Sequence, residues 1–156
     1  MELPKRKANR LKEYDYSSNA AYFITVCTAG KECLFWEREP AGEKNAGLTD
    51  LGRAARRAVD EIPAHYPGVE VAHAAVMPNH IHLLLLLPGT GGTPSVSGIV
   101  NQLKGYVTKQ AGRPVWQKSF HDHVVRGRQD YMKIWEYIDT NPLKWRQDCY
   151  FEGREE

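Results

Sequence analysis

Three cysteines among 156 residues, Cys27, Cys33 and Cys149, have neither the even count of a disulfide framework nor the spacing of a cysteine metal knuckle. Their scarcity excludes the small stapled scaffolds of secreted proteins and leads to the expectation of a reducing cytoplasm. A membrane-length apolar run is missing too. The most hydrophobic stretch, Ile81 to Leu87, falls far short of the ~20 residues a spanning helix needs, and reads as a buried strand. No signal-peptide pattern opens the chain, which again suits a cytoplasmic location. Nor is there an excess of one charge: 21 Lys and Arg against 19 Asp and Glu leave a formal +2, so any nucleic-acid affinity must come from how the charges are distributed. Internal repeats and low-complexity segments are likewise lacking.

The distribution is uneven. Residues 1–12 hold Lys5, Arg6, Lys7, Arg10 and Lys12 against the single acid Glu2, whereas the last residues hold Glu152, Glu155 and Glu156 against Arg154. A chain of this length with 42% hydrophobic residues supports one full core. One domain is therefore expected over 1–156, with a basic arm at 1–17, a body at 18–147 and an acidic tail at 148–156.

Within the body, hydrophobic periodicity sets the elements. Ala20 to Thr28, rich in Tyr, Phe, Ile, Thr and Val, reads as a first strand, and Ala29 to Gly47 as an irregular connection. Thr49 or Asp50 caps a helix with Leu51, Ala54, Ala55, Ala58 and Ile62 inward, ended by Pro63. Glu70–Val76 and His80–Leu87 read as a hairpin around Pro78-Asn79, and Ser95 caps a second helix with Val96, Ile99, Val100, Leu103 and Val107 inward. A short strand at His121–Arg126 and a third helix at Asp130–Thr140, with Tyr131, Ile134, Trp135 and Ile138 inward, complete the series. The order β-α-β-β-α-β predicts an α+β fold with a ferredoxin-like antiparallel sheet, plus an additional C-terminal helix free to carry a site.

The densest information lies in Met77-Pro78-Asn79-His80-Ile81-His82-Leu83. Side chains alternate across a strand, so His80 and His82 face one side and Ile81 the other, at what reads as an exposed strand end. Such a pair suits two ligands on one cation. The last helix ends Tyr137-Ile138-Asp139-Thr140-Asn141-Pro142; proline disfavours helical geometry at the residue before it, so the helix is expected to finish at Asn141. At about 100° per residue, Tyr137 and Asn141 lie about 40° apart on the helix surface and reach one common point. A phenol is a weak nucleophile at neutral pH, but a cation that polarises its target phosphate lowers the barrier, and two imidazoles with one amide oxygen would hold such a cation.

Along nearly its whole length the sequence resembles the single-tyrosine transposases of the HUH superfamily, and within them the REP-associated tyrosine transposases. The resemblance runs through Tyr22-Phe23-Ile24-Thr25, Val76 to His82, Leu103-Lys104, Trp116-Gln117 with Phe120 to Arg126, and Tyr137 to Leu143. It implies that 18–147 is the catalytic core, that His80 and His82 are paired metal ligands, that Tyr137 is the nucleophile, and that Asn141 is a third ligand where some relatives carry glutamine. The implied activity is DNA transposition and recombination by a metal-dependent HUH endonuclease. Mg²⁺ or Mn²⁺ would polarise a phosphate of single-stranded DNA, Tyr137 would attack to form a 5′-phosphotyrosine intermediate, and a later 3′-OH would reverse the linkage. Nitrogen ligands favour Mn²⁺ in affinity over the oxygen-seeking Mg²⁺.

Relatives recognise hairpins bordered by a short single-stranded guide, so hairpin or single-stranded DNA is the expected partner. Lys5, Arg6, Lys7, Arg10, Lys12, Lys104, Lys118 and Arg126 are the cations assigned to DNA binding, and Tyr14, Tyr16 and Trp116 the aromatics assigned to stacking on unpaired bases. A homodimer exchanging the tyrosine helix and a self-contained monomer are both compatible with the sequence. The second His-x-His, His121-Asp122-His123, is read as structural or DNA-contacting, and His65 and His73 as surface or strand residues. The alternative function is a domesticated, non-cleaving hairpin-binding protein. A histidine-triad nucleotide hydrolase would need a third histidine at 84, where this chain has Leu84.

Overall fold

The leucine-rich run is the strand β3 (His80–Pro88), and the fold is organised around it. β3 pairs antiparallel with β1 (Asn19–Cys27) on one side and with β2 (Glu70–Val76) on the other. A short β4 (His121–Val124) joins the free side of β1, so the order is β2-β3-β1-β4 with every neighbour antiparallel. This computed structural model describes residues 19–39, 47–88 and 95–147. The basic arm with Lys5, Arg6, Lys7, Arg10 and Lys12, the aromatics Tyr14 and Tyr16, and the acidic tail lie outside the described residues.

Strand alternation divides β3 between two layers. Ile81, Leu83, Leu85 and Leu87 enter a core with Ala55, Ala58 and Val59 of α1 (Asp50–Asp60) and Ile99, Val100, Leu103 and Val107 of α3 (Val96–Ala111). Each fully buried aliphatic side chain contributes roughly 1.5–3 kcal/mol there. Leu84 and Leu86 point the opposite way, into a smaller cluster with Ile134 and Ile138 of α4 (Arg128–Thr140) and Trp145. Two helices thus cover one face of the sheet and α4 crosses the other, the α+β ferredoxin-like arrangement with an added helix that the periodicity predicts.

The helix ends follow the expected chemistry. Thr49 Oγ1 accepts the amide of Gly52 at 3.0 Å and Ser95 Oγ that of Gly98 at 2.9 Å. Gly112 closes α3 at φ 72°, a left-handed conformation that glycine adopts without penalty.

Several boundaries differ from the sequence reading. α1 stops at Asp60, and Pro63 lies in the first turn of a further short helix, α2 (Ile62–His65), where a missing N–H costs nothing. β4 ends at Val124 rather than Arg126, and α4 begins at Arg128 after Gly127 turns the chain at φ 92°. The chain does not leave helical geometry at Asn141; it tightens into a 3₁₀ segment, Asn141–Gln147. Trp135 is 37% exposed, not inward, because it lies beside the stripe of Ile134 and Ile138. A register shift between Val71 and His73 adds a residue to β2 and brings His73 opposite Leu84.

Candidate functional site

The two imidazoles of β3 face the α4 layer and are buried, His80 at 0% and His82 at 1% exposure, rather than standing at an exposed strand end. Pairing of β1 with β3 places Thr25 opposite His82, and the turn before β3 supplies Asn79. His80 Nδ1 lies 2.8 Å from Asn79 Oδ1, and Asn79 Nδ2 donates to the carbonyl of Lys31 at 3.3 Å, which fixes the orientation of that amide. An amide oxygen only accepts, so Nδ1 of His80 carries the proton and Nε2 of the neutral ring keeps its lone pair. Thr25 Oγ1 lies 3.0 Å from His82 Nδ1, and the two Nε2 atoms are 3.0 Å apart. With its proton on Nε2, His82 bridges to His80; with that proton on Nδ1, donated to the Thr25 hydroxyl, both Nε2 lone pairs are available.

Burial sets the protonation. His82 is lowered to about 3 by desolvation, and His80 is lowered well below the usual imidazole value by desolvation and then by His82. Both rings are neutral at pH 7, the state in which imidazole ligates metals.

α4 brings the other two residues to this face. The Tyr137 ring centre lies 5.2 Å from that of His82 and 6.1 Å edge-on from that of Phe23, with 39% of the residue exposed. One turn further, Asn141 keeps helical angles (φ −58°, ψ −45°) and is 4% exposed. Its Oδ1 is buried and has no hydrogen-bond partner among the described residues. Such an orphaned oxygen costs about 1–3 kcal/mol, which a bound cation would recover. No group of three His, Cys, Asp or Glu able to hold a metal occurs among the described residues. A ligand set here would therefore be two neutral imidazoles and one amide oxygen, a combination suited to a divalent transition ion.

The remaining candidates scatter. Lys104 Nζ donates to the carbonyls of Gln117 and Ser119 at 3.1 and 3.3 Å, and partial burial lowers its pKa. Trp116 donates to the Lys104 carbonyl at 3.1 Å and packs against Phe35. Lys118 and Arg126 are exposed around β4. His121 is exposed opposite Thr25, on the same face as His82, and His123 lies 2.8 Å from Asp130 Oδ2. Leu84, the position a third histidine would need, is fully buried in the core.

Sequence reasoning gave no role to Thr25, Asn79, Phe23 or His73. Thr25 and Phe23 were within reach, since alternation along β1 puts them on one face, but their partners follow only from the strand register.

No family model matches the chain. An uncharacterised protein of Haemophilus influenzae is 32% identical over 92% of this chain and 91% of its own length. The REP-associated tyrosine transposase of Escherichia coli is 30% identical over 98 residues, which are 62% of this chain and 58% of that one. Among solved structures, a REP-associated tyrosine transposase bound to a REP hairpin shares the fold, with a TM-score of 0.60 and 23% identity across 86% of this chain and 74% of that one. The chain thus shares the fold of a REP-associated tyrosine transposase and is similar in sequence, over part of that relative's length, to the REP-associated tyrosine transposase of Escherichia coli.

Proposed function

We propose that this protein is a metal-dependent single-stranded DNA endonuclease and strand transferase of the transposase type, acting at hairpin-bordered sites through a 5′-phosphotyrosine link. The observation that most supports this reading is the approach of the Tyr137 ring to His82, 5.2 Å between centres, on a helix followed one turn on by the buried Asn141 oxygen, which has no hydrogen-bond partner among the described residues.

In this mechanism the Tyr137 oxygen attacks a backbone phosphorus, the bond from phosphorus to the 3′ oxygen breaks, and the strand's 5′ phosphate stays esterified to the phenol. The phenol proton passes to solvent, to which Tyr137 is open, and the departing 3′ oxygen takes a proton from water. Attack by another 3′-OH reverses the step and releases the tyrosine, so strands rejoin without nucleotide hydrolysis. His80 and His82 contribute as neutral lone-pair donors, held in orientation by Asn79 and Thr25. A Mg²⁺ or Mn²⁺ ion bound by His80, His82 and Asn141 would draw charge from the phosphate and ease departure of the 3′ oxygen.

The relative of like fold was captured with a REP hairpin, and a hairpin with a single-stranded flank is the substrate class assigned here. Exposed Lys118 and Arg126, with the basic arm, supply phosphate contacts.

The test is a denaturing gel of protein incubated with Mn²⁺ and hairpin oligonucleotides carrying single-stranded flanks. Wild type should form a covalent adduct, and Tyr137→Phe should form none while still binding the hairpin. A wild type that binds the hairpin and never forms an adduct would be the non-cleaving binder instead.

A further inference from the structure

The helix that carries Tyr137 is held on both flanks by a histidine–carboxylate pair. His73 Nε2 on β2 lies 3.0 Å from Asp139 Oδ1, and His123 Nε2 on β4 lies 2.8 Å from Asp130 Oδ2. β2 and β4 are the two edges of the sheet, and the register places both histidines in one cross-strand row, His73 opposite Leu84, Leu84 opposite Phe23, Phe23 opposite His123. That row spans three interstrand spacings, about 14 Å. Along α4, the nine steps from Asp130 to Asp139 advance about 13.5 Å and turn the side chains about 180° apart, one to each side of the buried stripe.

Each grip has further support. The amide of Ala74 donates to His73 Nδ1 at 3.0 Å, so the neutral ring carries its proton on Nε2, aimed at Asp139. Trp135 packs against His73 with ring centres 4.4 Å apart and planes tilted by 42°. Asp130 Oδ2 also accepts the amide of Arg126 at 3.0 Å, tying the end of β4 to the start of α4. The β2 bulge is what turns His73 to this face.

We propose that His73 with Asp139 and His123 with Asp130 are positioning residues, a two-sided clamp that fixes the roll of α4 and thereby the approach of Tyr137 to the target phosphate. The proposal rests on the reading of Tyr137 as nucleophile. A side-chain tip ~6 Å from a helix axis moves ~2 Å when the helix rolls ~20°. A misplacement of ~1 Å at a reacting atom costs on the order of a hundredfold in rate. A single partly buried hydrogen bond contributes only about 0.5–1.5 kcal/mol net to global stability, so loss of the clamp shows in rate before it shows in folding. The His73 side, with side-chain exposures of 16% and 32%, is the tighter grip; the His123 side has 52% and 29%.

Three measurements on the full chain test this: amide hydrogen exchange along α4, single-turnover adduct formation at saturating hairpin, and hairpin affinity. Asp139→Ala should speed exchange across 131–140 and slow adduct formation about tenfold or more, with affinity unchanged. His123→Ala should do the same more weakly. Asp139→Asn keeps an oxygen that accepts from Nε2–H and should restore most of the rate. Asp139→Ala with wild-type exchange and rate would overturn the clamp, as would exchange rising equally in β1 and β3, the mark of a general stabilising contact. Should wild type form no adduct, the nucleophile reading falls, and α4 exchange alone decides the clamp.

Discussion

Asn141→Leu separates the cost of the site from its use. The Asn141 oxygen is buried and has no hydrogen-bond partner among the described residues, so without metal it carries a desolvation penalty of about 1–3 kcal/mol. An apolar side chain of similar size removes that penalty, and the metal-free variant should be more stable than wild type by about 1–2 kcal/mol, or roughly 2–8 °C in Tm for a chain of this length. Saturating metal should invert the order. At a free ion concentration of about 100 times Kd, wild type gains about 2.7 kcal/mol through mass action, whereas the variant, with two of three ligands, gains much less. Urea unfolding in EDTA and in Mn²⁺ measures both arms. If Asn141→Leu is destabilised in EDTA by the loss of an ordinary buried hydrogen bond, or is stabilised by Mn²⁺ as strongly as wild type, the oxygen is not a ligand in waiting and the reasoning fails.

Further consequences follow from the supporting groups and from burial. Thr25→Val removes the hydroxyl that orients His82 and should weaken Mn²⁺ binding about 10- to 100-fold by calorimetry, with the fold intact; unchanged affinity would remove Thr25 from the site. His82 is held to about 3 against an ordinary value of 6.5, so between those values the unfolded chain binds the additional proton. Stability should therefore be fully present above pH 6.5 and decline as pH falls, by at most ~1.4 kcal/mol per unit from this ring. Metal-free urea titrations at pH 7 and pH 5 read the difference, and equal midpoints would contradict neutral burial.

Elements whose signal is local were legible in the chain. The short continuous apolar run Ile81 to Leu87 gave the strand, alternation along it gave the shared face of the imidazoles, and four-residue spacing put Tyr137 beside Asn141. Caps at Thr49 and Ser95 needed only neighbouring residues. What depended on distant register was not legible. His73 read as an ordinary strand residue because the bulge that turns it toward Asp139 leaves no compositional mark. Trp135 reads as part of the stripe because its hydrophobicity outweighs its angle, and only its contact with His73 shows where it lies. Phe35, fully buried in a connection without periodicity, had no pattern to announce it.

Because consecutive residues of β3 serve opposite faces, one strand is both the wall of the main core and the floor of the candidate site. Shifting it by a single residue would send the imidazoles under α1 and α3 and the aliphatic side chains beneath Tyr137, damaging folding and reactivity at a stroke. A change of length within this strand therefore disturbs both layers at once, whereas residues added in the connections leave that parity intact.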